Sequence, residues 1–254
     1  FTGNKFELRM LGSSQSIAEP NIALNTILAE ELGRFADILE KSTDFNKDMN
    51  NLIKKTLKKH SRIIFNGNGY SEEWVKEAER RGLPNISSTV ESAKTLTTPK
   101  AIALFEKFGI FTKTELESRE EILYEIYAKT LNIEALTMID MTSRQIIPAV
   151  VGYCKTLAET VVAVKGAGAD TTVYTQLLTE VSEKLTTMKS ALVKLQEVEE
   201  TAAKMTNAKD KAFYYKDVVR EAMEELRVPV DEAEMLVDKK AWPMPTYGDL
   251  IFEV

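Results

Sequence analysis

Lys5, Glu7 and Arg9 are the residues whose types and spacing best fit chemistry. They alternate with Phe6, Leu8 and Met10, and strict alternation over six residues predicts a β-strand with opposite sets of side chains on opposite faces. Neighbours on the charged face would stand roughly 6.5–7 Å apart, from a rise of about 3.3 Å per residue. A carboxylate flanked by two cations at that spacing suits a metal–phosphate site. The acid offers oxygen to a divalent ion, and the cations meet phosphoryl oxygens. The same pattern also fits a solvated strand face carrying an ordinary cross-strand ion pair. The residues alone leave both readings open.

The strand must be followed by elements that hold it. Gly12-Ser13-Ser14-Gln15-Ser16 supplies a small-residue loop, and Pro20 sits where a helix can begin because its missing N–H costs nothing there. Ile22, Leu24, Ile27, Leu28, Leu32, Phe35, Ala36 and Leu39 then recur at helical spacing to about Lys41. This order, Phe6-Glu7-Leu8-Arg9-Met10, then Gly12-Ser13-Ser14, then Ala18-Glu19-Pro20-Asn21, resembles the late catalytic strand of glutamine synthetases, in wording closest to their type III branch. The resemblance implies that Glu7 is a divalent-metal ligand and that Arg9 contacts the γ-carboxylate or the transferred phosphoryl group. Lys5 stands where the family often carries an Arg touching nucleotide phosphates, and a Lys would meet them as a point charge rather than a fork.

Composition narrows the rest. The 254 residues are 44% hydrophobic and 28% charged, as in an ordinary globular chain of one or two domains. A net charge of −6 argues against non-specific nucleic-acid binding and against docking on an anionic membrane. No apolar run of about 18 residues is expected to span a bilayer, and no signal peptide is visible. The single cysteine, Cys154, excludes an internal disulfide and suits a reducing, cytoplasmic setting. With His60 the only histidine, a His-based zinc site or a Ser/His/Asp triad has no material. Phe1 opens the sequence without a Met, as expected of the C-terminal piece of a larger protein.

Further along, a helix from Asp44 to about Lys59 is predicted, with His60 at its end in a capping or dipole role. Gly67-Asn68-Gly69 between a short apolar run and a helix at Ser71 imitates a phosphate-binding turn. It lacks a third glycine, and Glu72 and Glu73 would repel phosphate, so a tight turn with an N-cap is the better reading. Gly82-Leu83-Pro84 stops that helix, and a short helix fits near Thr89 to Ala93. Thr98-Pro99 opens another, and Thr112 with Glu115 forms a capping box stapled by Phe111 and Leu116. The long helix that follows carries Ile122, Leu123, Ile126, Tyr127, Leu131, Ile133, Leu136 and Ile139, with a kink or break expected at Pro148. Two heptad-spaced seams, Ile147 to Val164 and Tyr174 to Leu195, flank the loop Lys165–Thr172, with Asp170 expected as N-cap, and predict an antiparallel hairpin. Cys154 on that seam reads as packing, not as a nucleophile. A helix from Ala208 to Arg227 is expected to stop at Pro229, and the aromatic tail Ala241–Val254 to dock onto a groove or a neighbouring subunit. Asn66-Gly67-Asn68-Gly69-Tyr70, Phe105–Glu115 and Trp242-Pro243-Met244-Pro245-Thr246-Tyr247-Gly248-Asp249 are similar to type III glutamine synthetases as well.

The expected fold is mainly α. One N-terminal strand remains from a truncated α+β catalytic domain, followed by helices with a long antiparallel coiled-coil-like hairpin. Expected segments are 1–41 as the end of the catalytic domain, 42–127 as its helical continuation, 128–240 as bundle and hairpin, and 241–254 as a docking tail. The resemblance implies an ATP-dependent glutamate–ammonia ligase that forms glutamine through γ-glutamyl phosphate and uses Mg²⁺ or Mn²⁺. Its partners would be glutamate, ammonia, ATP and further copies of itself in stacked hexameric rings, and this chain alone would be inactive. A non-enzymatic helical scaffold accounts for the helices but gives no reason for Lys5, Glu7 and Arg9. A nucleotide enzyme built on Gly67-Asn68-Gly69 has the least support.

Overall fold

The computed structural model describes residues 12, 15–245 and 247–252. They are mainly helical, as expected, and no strand occurs among them. The predicted strand over residues 5–10 lies outside the described residues. The chain divides into two compact units, Phe1–Glu117 and Ser118–Val254.

In the first unit, α1 (Ala18–Leu39), α2 (Phe45–Lys59), α3 (Glu72–Arg80), α4 (Thr89–Ala93) and α5 (Pro99–Lys107) are short to medium helices joined by tight turns. Their starts follow from local chemistry. The side chains of Asp44, Ser71, Ser88 and Thr98 each accept the backbone N–H three residues on, satisfying a donor that the first helical turn leaves orphaned. The Thr112–Glu115 box closes reciprocally, with the Thr112 N–H donating to Glu115 Oε2 at 2.8 Å and the Glu115 N–H donating to Thr112 Oγ1 at 3.3 Å. Leu116 is fully buried behind it, while Phe111 tilts against Phe105. His60 is the C-cap residue of α2, its N–H donating to Thr56 O.

The second unit is built on long helices. The chain from α6 (Lys113–Met141) to α7 (Ile147–Gly166) is helical without a break, and α8 (Thr172–Ala203) returns beside α7. The predicted interruption at Pro148 does not occur. A π turn over Thr142–Ile146, in which the Ile147 N–H donates to Thr142 O, widens the backbone just ahead of Pro148 and makes room for its ring. Joining the two segments also yields an 18-residue window of mean hydropathy 1.4 within Lys113–Gly166, so by length and composition one helix could cross a bilayer, contrary to expectation. In the bundle that helix buries Val150 and Leu157 in the core and carries a Lys155–Glu159 pair on its open side. The α7–α8 loop turns through Gly168 at φ +76°, a left-handed conformation that costs glycine no Cβ strain, and the Ala169 N–H donates back to Val164 O. Asp170, expected as the N-cap, stands one place ahead of it: Thr171 is the N-cap residue, and Asp170 Oδ1 accepts from the Thr172 N–H and hydroxyl.

Val150, Leu157, Val181, Met188, Leu192 and Leu195 are buried as the heptad spacing predicts, and Cys154 lies half-buried 3.9 Å from Ser182 Oγ. α9 (Ala208–Tyr214) leads through a second π turn, Tyr215–Val219, into α10 (Arg220–Glu234). α10 runs antiparallel to α8, with Lys184–Glu232 and Lys194–Glu225 ion pairs along the seam. Pro229 does not stop this helix. It is buried on the same side as Leu226 and Ala233, and that apolar burial outweighs one forfeited backbone hydrogen bond. The tail is partly captured by its own unit. Trp242 is buried in the bundle core, whereas Leu250, Ile251 and Phe252 on α11 (Tyr247–Phe252) remain exposed.

Candidate functional site

Lys5, Glu7 and Arg9 lie outside the described residues, as do Ser13 and Ser14. What is described is the exit from that segment. Gly12 has φ +149°, a region that disfavours any side chain, and its carbonyl accepts the Gln15 N–H at 2.8 Å to close a tight turn. Ser16 Oγ accepts the Ala18 N–H at 3.2 Å where α1 starts, and Pro20 falls at the third helical position, still within the turn whose donors have no helical partner. The Gly12 turn and the Ser16 contact lead the chain into α1 within six residues.

Gly67-Asn68-Gly69 is not a phosphate cradle. A Cβ on Gly67 would lie 2.5 Å from Phe65 Cζ, so the glycine is there to admit an aromatic ring. That ring stacks on Trp74 at 4.1 Å between centroids. Asn68 Oδ1 accepts the Tyr70 N–H, and Ser71 Oγ caps α3 through the Trp74 N–H. The Asn68 and Ser71 side chains and the Tyr70, Ser71 and Trp74 N–H groups are engaged in local structure, which agrees with the tight-turn reading.

An arginine 19 residues from its partner completes this segment. The Arg81 guanidinium lies 5.5 Å from the Trp74 ring and donates to the backbone carbonyls of Arg62 and Ile64. Its Nε and the fork of Arg80 both meet Glu77, at 2.5–2.7 Å. Hydrogen bonds from Arg80 first, and then Arg81, hold the Glu77 carboxyl down at about 2. Sequence reading missed this clasp because its parts are unremarkable in isolation. A stack of Phe65, Trp74 and Arg81 requires knowing that the turn folds back on α3.

Among the described residues, no group of three or more His, Cys, Asp or Glu side chains is placed to hold a metal ion. In the second unit most ion pairs are local to one helix, Lys184–Glu232 and Lys194–Glu225 join α8 to α10, and Thr175, Thr179, Ser182 and Thr186 line α8's open grooves. The hydroxyls of Thr179, Ser182 and Thr186 bond carbonyls one turn back.

Comparison with known proteins supplies what the geometry leaves open. Residues 48–165 match the family model of the glutamine synthetase C-terminal domain. The chain is 37% identical over 99% of its length to a type-3 glutamine synthetase of Dictyostelium discoideum, 38% over its full length to a glutamine synthetase of Butyrivibrio fibrisolvens, and 32% over 99% to one of Bacteroides fragilis. It spans only 36–37% of the length of these relatives. The similarity is continuous from the charged opening segment through the helical hairpin to the aromatic tail, and on that ground the chain belongs to the glutamine synthetase family.

Proposed function

We propose that the polypeptide to which this chain belongs is a cytoplasmic ATP-dependent glutamate–ammonia ligase, and that these 254 residues carry a small, charged part of its active site together with its helical architecture. The observation that supports this most is that similarity to glutamine synthetases runs over at least 99% of the chain. Nothing in the structure favours the scaffold reading in its place.

In this reading Glu7 is a ligand to Mg²⁺ or Mn²⁺, Arg9 stabilises charge on the transferred phosphoryl group, and Lys5 meets a nucleotide phosphate. A metal held there with Glu7 as one ligand would supply charge neutralisation at the ATP phosphates; the γ-phosphoryl group passes to the glutamate γ-carboxylate with ADP leaving, and ammonia then displaces phosphate to give glutamine. Residues 1–254 alone supply too few donors for this chemistry and form no glutamine. The full polypeptide assembles into stacked hexameric rings, with the hairpin and tail among the contacts. Exposed Val162 and Val173 near the hairpin loop, and Leu250 and Phe252 in the tail, support such a role.

Glutamine formation by the full-length protein tests the assignment. Glu7→Gln and Arg9→Lys each lower kcat by about 10²-fold or more, the scale for losing one transition-state charge contact. Unchanged turnover in both variants, or glutamine formation by residues 1–254 alone, would sink the reading. Removing residues 128–240 from the full polypeptide abolishes ring-sized particles in light scattering; intact rings would remove the hairpin from the assembly.

A further inference from the structure

The core of the second unit contains a polar pair that apolar packing does not account for. Tyr215, the first residue of the π turn, is 0% exposed, and its hydroxyl meets no hydrogen-bond partner in the protein. A buried phenol ordinarily finds one, because a desolvated O–H left unbonded is costly. Glu199 on α8 is 9% exposed, and among the described residues no cation pairs with it. The register of the bundle brings the two together. Lys184 pairs with Glu232 and Lys194 with Glu225, so later residues of α8 lie beside earlier residues of α10. Continuing past Lys194 sets Glu199 beside the π turn, with which α8 packs. The electrostatics agree: burial pushes the Tyr215 hydroxyl pKa up, and the Glu199 charge pushes it further. Leu195 and Ala202, one turn to either side of Glu199, and Val219, one turn after Tyr215, are all sealed.

The hydroxyl and the carboxylate are thus neighbours in the core that no direct hydrogen bond joins. Buried polar groups that interact across more than hydrogen-bond distance are bridged by water where they supply the about two to four partners an internal water needs. A divalent cation fits the site less well. It takes about six or more oxygen ligands, and among the described residues no group of three or more His, Cys, Asp or Glu is placed to hold one. We propose that the Tyr215 hydroxyl and the Glu199 carboxylate bind one internal water molecule, which links α8 to the π turn inside the core. The Tyr215 O–H donates to the water oxygen, and the water donates in turn to a Glu199 oxygen. Both partners lie in the second unit, so the proposal does not depend on the assigned reaction.

The test joins a structure to a mutant cycle. A high-resolution crystal structure of the full polypeptide should show a water peak within hydrogen-bond distance of both Tyr215 Oη and a Glu199 carboxylate oxygen. A direct Tyr215–Glu199 bond, or no density between them, overturns the proposal without any variant that must fold. Tyr215→Phe keeps the ring and deletes only the hydroxyl. In the full polypeptide it should speed amide exchange across Leu195–Ala202 and Tyr215–Val219 by about fivefold, the scale of one lost hydrogen bond. In a Glu199→Met background, where the water has lost its acceptor, the same substitution should speed exchange by no more than about twofold. Exchange that is unchanged or slower in Tyr215→Phe alone overturns the proposal, because that is the behaviour of a hydroxyl with nothing bound. An equal acceleration in both backgrounds also overturns it, because the hydroxyl would then bond something other than a water shared with Glu199.

Discussion

The second unit closes over one large core, whereas in the first α1 and α2 stay largely outside the small core of Val90, Ala93, Phe105 and Leu116. From Ser118 onward, Val150, Val181, Met188, Leu192, Leu195, Tyr215, Val219 and Leu226 are all sealed within one cluster. In the first unit α2 has no buried residue and α1 buries only Thr26, while Ile27, Leu28, Leu32, Ile53 and Leu57 stand half in solvent. Similar apolar content therefore serves different ends. The long helices specify themselves, whereas α1 and α2 are written for surroundings that the described residues do not provide. A family member whose relatives are far longer is where such a division is expected.

The largest effect should come from the sealed core. Met188→Ala removes a fully buried side chain and costs about 2–5 kcal/mol in chemical denaturation of residues 1–254, whereas Leu28→Ala on α1 stays within about 0.5 kcal/mol. Equal losses would erase the contrast between the units. Next in size, Gly67→Ala drives a methyl into the Phe65 ring and costs about 1–3 kcal/mol, read as loss of the Phe65–Trp74 stack in Trp74 fluorescence with Trp242→Phe. Thr112→Ala removes one side of the capping box and costs about 1 kcal/mol.

The smallest effect is electrostatic. The Glu77 carboxyl is held at about 2 against an ordinary 4.5, chiefly by its hydrogen bonds from Arg80 and then Arg81. A carboxyl depressed on folding adds stability above its unfolded value and loses it on protonation. The clasp should therefore loosen as pH falls from about 4.5 through about 2. Glu77→Gln should flatten that acid limb of the Trp74 signal; an unchanged limb would show that the clasp does not depend on this charge.

Much of the architecture was legible because it is written locally. Ser71, Thr98 and the Thr112–Glu115 box announce helix starts through side chains that must bond backbone donors a few residues away, and the heptad seam of α8 announces its buried face. The prolines misled for a physical reason. Pro148 and Pro229 break an isolated helix, but a π turn ahead of one and core burial of the other keep these helices continuous. In the long helix α6, Ile122, Ile126, Ile133 and Leu136 fall at helical spacing yet are exposed, while Tyr124, Ala128 and Ala135 are sealed. Periodicity identifies an apolar face without saying which neighbour covers it. The candidate site was legible only in its residue types: Lys5, Glu7 and Arg9 lie outside the described residues, and the clasp of Arg81 on Trp74 has no signature in sequence.

The central claim, that one unit is self-sufficient and the other is built to be completed, is tested most directly by amide hydrogen exchange on residues 1–254. Protection over Val181–Leu195 and Ala222–Ala233 should approach the global stability, while Ala18–Lys59 should exchange orders of magnitude faster, through local opening. Uniformly strong protection across both regions would contradict it.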